Sequence, residues 1–185
     1  MKTTAPVMNF HSFDQQQAAD VEQLFGQVFS DSEGEAEGQL LATLVNELIT
    51  TTKAADLKGF VASDDQLLIA AIFFTPLKFQ QPIQAFLLSP VAVKTSHQGQ
   101  GIGQQLIKFG IEQLKQQGAE LLITYGDPNF YGKTGFQSLP ESVIQAPLAL
   151  SYPHGWLGQS LLSDTIPTIS DKPSCVQALN NPIYW

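Results

Sequence analysis

Apolar residues recur at steps of three and four along three stretches of the chain, and this spacing predicts amphipathic helices. The predicted helices are residues 13–29, residues 37–51, and a stretch that starts at Ile102 and ends at Gly118. Ser12 and Gln15 have the spacing of a capping box, which places the start of the first helix there. The acidic, glycine-containing segment 31–38 predicts a loop between the first two helices or a frayed start of the second.

Shorter apolar runs between the helices predict strands. The predicted strands are residues 59–62, 67–74, 86–93 and 119–125, with a further strand that starts at Phe136. The first two flank a short polar loop and therefore predict a hairpin. Pro90 lies inside the third and has no N–H for the ladder, so this strand must bulge or splay there. Asp127-Pro128 predicts a short helical turn, and from Pro147 onward the pattern loosens into turns and aromatic residues.

Length and composition predict one globular domain. The chain has 185 residues and 20.2 kDa, and 43% of its residues are apolar. No apolar run approaches the ~18 residues that a membrane span needs, and the amino-terminal segment has no apolar block typical of a signal peptide. The single cysteine, Cys175, excludes an internal disulfide. We therefore expect a cytoplasmic protein with no membrane partner.

The charge balance narrows the function classes. Nine lysines, no arginine and seventeen acids give a net charge of −8, so we expect no nucleic-acid binding. Any bound phosphate must be held by backbone N–H groups, lysines or a helix N-terminus. We expect no metal site, because the three histidines are far apart in the sequence.

A glycine-rich loop precedes the third helix, and its residues 97–103 carry the clearest chemical signal. Glycines between a strand and a helix let the backbone approach a ligand, and the free N–H groups of the helix start suit an anion. A P-loop would need Gly-Lys-Ser/Thr, whereas Gly103 is followed by Gln104 and Gln105. A dinucleotide fingerprint would need a third glycine at position 104, so that class fits poorly as well.

Two motifs resemble those of the GCN5-related N-acetyltransferase (GNAT) superfamily. Gln98-Gly99-Gln100-Gly101-Ile102-Gly103 resembles its Gln/Arg-x-x-Gly-x-Gly/Ala signature. Downstream, residues 129–136 resemble its closing element and end in Tyr-x-Lys-x-Gly-Phe. The Gly-Asp-Pro-x-x-Tyr-Gly-x-x-Gly-Phe form is similar to the YhbS-like bacterial branch. This specific match covers about 55 residues in the order and spacing that the superfamily shows.

The resemblance implies an α+β fold with a mixed, mainly antiparallel sheet of six to seven strands and about four helices. The sheet would splay at the strand near Pro90. We expect one domain over residues 1–185, with a core of about 5–150 and residues 151–185 as a carboxy-terminal extension that packs on the core.

The resemblance also implies the ligands and the site residues. Acetyl-CoA would donate an acetyl group to an amine, which could be a small molecule or a protein amine. Backbone groups of Val91, Ala92 and Val93 would pair with the pantetheine arm. The pyrophosphate would lie on the N–H groups of Gln98, Gly99, Gln100, Gly101, Ile102, Gly103 and Gln104. Asn129 would hydrogen-bond the pantetheine or thiol region, and Tyr131, a proton donor at neutral pH, would protonate the leaving thiolate.

The sequence does not identify the general base, because the strand before the loop carries no acidic residue. Asp127 is a candidate base, although Asp before Pro is also a common helix N-cap. The acidic residues Glu33, Glu35 and Glu37 could line an amine-binding mouth or form a solvated face. Lys94, Lys108 and Lys133 are candidates for the ribose phosphate, and each could equally be a solvated surface lysine.

A second hypothesis assigns the same fold to a protein that is not an enzyme. The chain would then hold acetyl-CoA without catalysing transfer, as a sensor or a structural subunit. An open acceptor cleft beside Tyr131 would favour the enzyme. The sequence leaves the acceptor, the role of residues 151–185 and homodimer formation open.

Overall fold

The computed structural model describes residues 8–185, which form one seven-stranded sheet with helices on both faces. The strands are β1 (Met8–Ser12), β2 (Lys58–Asp64), β3 (Leu67–Leu77), β4 (Ala85–Val93), β5 (Leu121–Tyr125), β6 (Gln137–Ser138) and β7 (Trp156–Ser160). The helices are α1 (Ala18–Glu33), α2 (Glu35–Thr51), α3 (Ile102–Gln116) and the short α4 (Pro128–Tyr131). The strand order is β1-β2-β3-β4-β5-β7-β6, and every pairing is antiparallel except that of β4 with β5. The predicted α+β architecture is confirmed.

The apolar stripes of the helices divide the core into two layers. One layer packs α1 and α2 on the sheet and includes Phe25, Leu44 and Leu48. The other packs α3 on the opposite face and includes Leu106, Ile107 and Leu114. Each of these six side chains is at most 2% exposed, as their helical spacing predicts.

The start of α1 and its joint with α2 differ from the predictions. Ser12 belongs to β1, and the capping box is formed by Asp14 and Gln17, which lead a single 3₁₀ turn into α1. The predicted loop over 31–38 is wrong, because α1 runs to Glu33 and α2 starts at Glu35. Gly34 alone separates them, and its φ of 100° makes the sharp turn available to glycine.

The predictions at the carboxy-terminal side are also corrected. Phe136 is buried, but the strand that it was predicted to start comprises only the two residues of β6. The predicted run of turns after Pro147 is wrong over Trp156–Ser160, which form β7 and pair with both β5 and β6. Residues 1–7, where the predicted domain and its core begin, lie outside the described residues. Within residues 8–185 no helix is both long and apolar enough to cross a membrane.

The third predicted strand bulges where Pro90 lies, as predicted. Phe74 pairs with Leu88 and Ile72 pairs with Val91, so two steps along β3 match three steps along β4. The parallel pairing of β4 with β5 covers only Ala85 to Leu88. Beyond the bulge β4 continues beside β3 alone, and its other edge opens toward a cleft.

Candidate active site

A cleft of about 1200 Å³ occupies the opening between β4 and β5. The second half of β4, the glycine-rich loop and the first residues of α3 form one wall. The end of α1 and the first half of α2, with residues of the carboxy-terminal segment, form the opposite wall. The end of β5 and α4 lie between the two. Both motifs found in the sequence thus contribute residues to a single cleft.

The free edge of β4 presents backbone groups to this cleft. Lys94 donates its N–H to the Ile69 carbonyl at 2.7 Å, which orients that residue's backbone groups toward β3. Because these groups alternate in an antiparallel pair, Ala92 also faces β3, whereas Val91 and Val93 face the cleft. All three predicted residues line the cleft, and the side chain of Ala92 is 2% exposed.

The glycine-rich loop ends at the N-terminus of α3. Gly99 and Gly101 have φ of 77° and 78°, and Gly101 is the N-cap residue without a side-chain cap. The first backbone bond of the helix runs from Gln105 N–H to the Gly101 carbonyl, so the N–H groups of Ile102, Gly103 and Gln104 precede the ladder. These donors and the positive end of the helix dipole suit a phosphate.

Gly103 adds close packing to this loop. A Cβ atom there would lie 3.1 Å from the Phe130 ring and 3.2 Å from the Val93 side chain. A larger residue would push α3 away from β4 and α4, so the small residue keeps the helix N-terminus against the strand edge.

Three side-chain contacts fix the segment before the glycines. Gln98 donates from Nε2 to the Val93 carbonyl at 2.9 Å. Thr95 donates from Oγ1 to the Asp31 carboxylate at 2.7 Å, and this bond, with one from Gln27, holds the pKa of Asp31 below its usual value. His97 Nε2 lies 3.6 Å from a carboxylate oxygen of Asp64. The loop is therefore tied to β4, to α1 and to the β2–β3 hairpin.

Tyr131 lies in the cleft wall between the two sides. Its ring packs edge-on against Phe130 and Phe136, with centroids 5.0 and 6.0 Å away. Burial raises the pKa of Tyr131 to about 12; a hydrogen bond with Thr124 opposes the rise and the Asp127 carboxylate adds to it. The hydroxyl is therefore protonated throughout the physiological pH range.

Asp127 follows β5 and starts α4. Its Oδ1 accepts the backbone N–H of Asn129 at 2.9 Å, and Pro128 occupies the first helical position, so Asp127 is the N-cap. It is exposed and also lines the cleft, whereas the predicted ligand Asn129 is exposed outside the cleft wall.

Some of the other predicted site residues line the cleft and some do not. Gln98, Gly99, Gly101, Ile102, Gly103 and Gln104 line the cleft, and Gln100 does not. Glu33 and Glu37 line it without Glu35, and Lys133 lines it without Lys94 or Lys108.

Sequence reasoning missed most of the wall opposite the glycine-rich loop. Phe29, Leu40 and Leu44 face the cleft from α1 and α2, and Tyr152 and Ile183 face it from the carboxy-terminal segment. The available signals were the acidic residues Glu33 and Glu37 and the run of aromatic residues after position 150. Neither signal identifies the apolar residues of this wall.

Comparisons with known proteins agree with this geometry. Residues 55–138 match the family model of the acetyltransferase (GNAT) domain. The uncharacterized N-acetyltransferase YhbS of Escherichia coli K12 is 32% identical over 107 residues, which are 57% of this chain and 60% of YhbS. The uncharacterized N-acetyltransferase YjhQ of the same strain is 27% identical over 158 residues, which are 82% of this chain and 83% of YjhQ.

Two solved structures share the whole fold. The crystal structure of E. coli YhbS in complex with CoA superposes with a TM-score of 0.80 at 22% identity, over 98% of this chain and 96% of that one. A GNAT family acetyltransferase from Brucella melitensis in complex with acetyl-CoA gives a TM-score of 0.69 at 23% identity, over 94% and 99% of the two chains.

Proposed function

We propose that this chain is a GNAT-family enzyme that transfers an acetyl group from acetyl-CoA to a primary amine, as its similarity to the GNAT domain model and to YhbS supports. One observation carries the proposal. The free edge of β4 and the uncapped start of α3 adjoin in one cleft, where an extended pantetheine arm and a pyrophosphate could bind together. YhbS and the Brucella protein, which share the fold, have been crystallised with CoA and acetyl-CoA, respectively.

In this proposal the cleft-lining segment from Val91 to Gln104, which we call the donor wall, holds acetyl-CoA through its backbone. Val91 and Val93 pair with the amide groups of the pantetheine arm as an added strand would, with Ala92 as the residue between them. The N–H groups from Gly99 to Gln104 hold the pyrophosphate, and Gln100 contributes only its backbone. The Gln98 N–H, also predicted for this role, instead donates to the Thr95 carbonyl at 3.4 Å. Asn129 is assigned a hydrogen bond to the pantetheine or thiol region.

The proposed reaction joins the amine nitrogen to the thioester carbonyl carbon and breaks the carbon–sulfur bond. The sulfur leaves with the electron pair and takes a proton from Tyr131. A thiol has a pKa near 8.5, so transfer from a tyrosine of pKa about 12 would by itself cost roughly 5 kcal/mol. The attacking nitrogen carries a surplus proton once the new bond forms, and its return to Tyr131, directly or through water, balances the step.

The acceptor must reach the cleft as a neutral amine. Asp127 is the candidate base, because it lines the cleft and its cap uses Oδ1 alone. Most of the rate enhancement would come from orienting amine and thioester, which is worth up to ~7–11 kcal/mol.

Thiol release from acetyl-CoA, measured across a panel of primary amines, tests the proposal. We expect release that depends on both the amine and the protein. A protein that binds CoA but releases no thiol with any amine would be the non-catalytic sensor or structural subunit of the second hypothesis.

A further inference from the structure

The wall opposite the glycine-rich loop has a chemical character of its own. Its helical part presents Phe29, Leu40 and Leu44, and its carboxy-terminal part presents Tyr152 and Ile183. We call these five residues the acceptor wall, because they face the donor wall across the cleft. They are apolar or aromatic, and none belongs to the two sequence motifs.

Two members of the acceptor wall are unusually exposed. Ile183 is 60% exposed and Tyr152 is 51% exposed. Within the part of the chain that the structure describes, only Leu67 and Leu162 are other large apolar residues exposed to this degree. Exposed apolar side chains grouped at the rim of a cleft indicate a ligand that covers them.

These rim residues are held by a built scaffold. Tyr125, at the end of β5, accepts the backbone N–H of Tyr152 at its hydroxyl, 2.7 Å away, and that hydroxyl lies 3.1 Å from Ser151 Oγ. The Tyr125 ring stacks on Trp185 at 5.9 Å, and Trp185 is buried and donates to the Leu179 carbonyl. Ile183 lies in the turn just before Trp185. Tyr125 therefore positions both exposed rim residues, Tyr152 through the hydrogen bond and Ile183 through its stacking on Trp185.

The charged side chains next to the acceptor wall are all negative. Glu33 and Glu37 border it, and neither forms an ion pair within residues 8–185. Among residues 8–185, the cleft is lined by one lysine and one histidine: Lys133 lies next to α4, and His97 lies before the glycines of the loop. The acceptor wall therefore combines apolar contact area with uncompensated negative charge, which complements a cation on an apolar body.

We propose that the acceptor is an amphipathic primary amine, whose ammonium group approaches past Glu33 and Glu37 while its aliphatic or aromatic body covers Ile183 and Tyr152. This inference rests on the proposed function and narrows its amine. Amino sugars carry hydroxyl groups and polyamines carry further ammonium groups along their methylene chains, so neither offers an uncharged apolar body that covers the rim.

Calorimetric titration of the CoA-saturated protein separates the two features, because CoA permits binding without turnover. The probes are 2-phenylethylamine, 2-phenylethanol, which lacks the charge, and ethanolamine, which lacks the apolar body. We expect the first to bind about tenfold more tightly than either of the others. Equal affinity for 2-phenylethylamine and ethanolamine, or no binding of 2-phenylethylamine, overturns the inference.

Substitutions locate the binding. Ile183→Ser should weaken 2-phenylethylamine about five- to tenfold and leave ethanolamine unchanged. Leu162→Ser removes a side chain that is 73% exposed away from the cleft, and it should change neither. Glu37→Gln should weaken the amine and not the alcohol. An Ile183→Ser protein that binds like the Leu162→Ser control contradicts the proposed wall.

Thiol release with the same amines distinguishes this inference from the proposed function. Turnover of ethanolamine and 2-phenylethylamine with equal kcat/KM keeps the transferase and overturns the amphipathic acceptor. Tight binding of 2-phenylethylamine without turnover of any amine supports the acceptor wall and overturns the transferase.

Discussion

Tyr131 is the residue on which the proposed chemistry depends most. Its ring is fixed by Phe130 and Phe136, so Tyr131→Phe keeps the packing and removes only the hydroxyl. We expect kcat and kcat/KM to fall together by ~10²–10⁴, because the proton is needed only in the transition state. Steady-state kinetics with an amine that the protein acetylates measure the loss. CoA titration should show unchanged affinity. Full activity in this variant would reduce Tyr131 to a packing residue.

The raised pKa of Tyr131 also predicts a pH dependence of stability. An unfolded tyrosine ionises near pH 10, whereas Tyr131 in the fold stays neutral to about pH 12. Between these values the unfolded state binds fewer protons, so the free energy of unfolding falls as the pH rises, by about 3 kcal/mol in full. Urea unfolding from pH 8 to 11.5 should show this loss in the natural protein. In Tyr131→Phe the loss should be smaller, and identical slopes would contradict the assignment.

At the scale of single elements, the two ends of α3 offer a matched pair of substitutions. Gly101 precedes the helix beside the cleft, and Gly118 follows it away from the cleft, with φ of 78° and 93°. Valine is strained at both positions, and neither glycine has a backbone or core neighbour in the space of a Cβ atom. Gly101→Val should lose CoA binding by titration while Gly118→Val keeps it. Similar CoA affinities in the two variants would show that the loop does not hold the phosphate.

The link between α1 and the loop is a second prediction at this scale. Thr95→Val removes the hydroxyl that donates to Asp31 and should loosen the segment that leads to the glycines. We expect CoA affinity to fall about five- to tenfold, which corresponds to the loss of one typical hydrogen bond at an exposed position. Gln27→Ala removes the other partner of Asp31 without touching the loop and serves as the control. Equal CoA affinity in both variants would contradict the role of this link.

For the whole molecule, ligand binding should appear as stability. At a CoA concentration of 100 times Kd, the free energy of unfolding should rise by about 2.7 kcal/mol. Thermal melts with CoA, NADH and ATP measure this effect, and CoA should shift Tm most. A melt that millimolar CoA leaves unchanged would refute both the transferase and the binding-protein hypotheses.

The sequence was most informative where one element carries its own signal. The apolar stripes of α1, α2 and α3 predicted the buried faces, and Pro90 predicted the bulge of β4. The first helix start was misplaced because Ser12-x-x-Gln15 and Asp14-x-x-Gln17 are both capping-box spacings, and only the second leads the helix. Local patterns alone do not choose between two such overlapping signals.

Features that depend on distant parts of the chain were not predictable. β7 contains Gly158, Gln159 and Ser160, so it lacks an apolar run, and its pairing between β5 and β6 makes it a strand. The donor wall comes from one continuous stretch that contains the glycine-rich motif, which is why it could be identified. The acceptor wall joins residues of α1 and α2 to residues beyond position 150, and only the folded chain brings them together.

The bulge in β4 shifts the alternation of side chains between the two faces of the sheet by one residue. Before it, Leu88 points its side chain into the core layer under α3, and after it Val91 and Val93 pack against that same layer. Strict alternation would place Leu88 and Val91 on opposite faces, so the extra residue resets the alternation in mid-strand. Losing one residue here would turn the valines toward α1 and α2 and swap which backbone groups meet the cleft. The length of this segment can therefore change by two residues without altering which side chains face α3. A change of one residue would reverse the two faces of the strand.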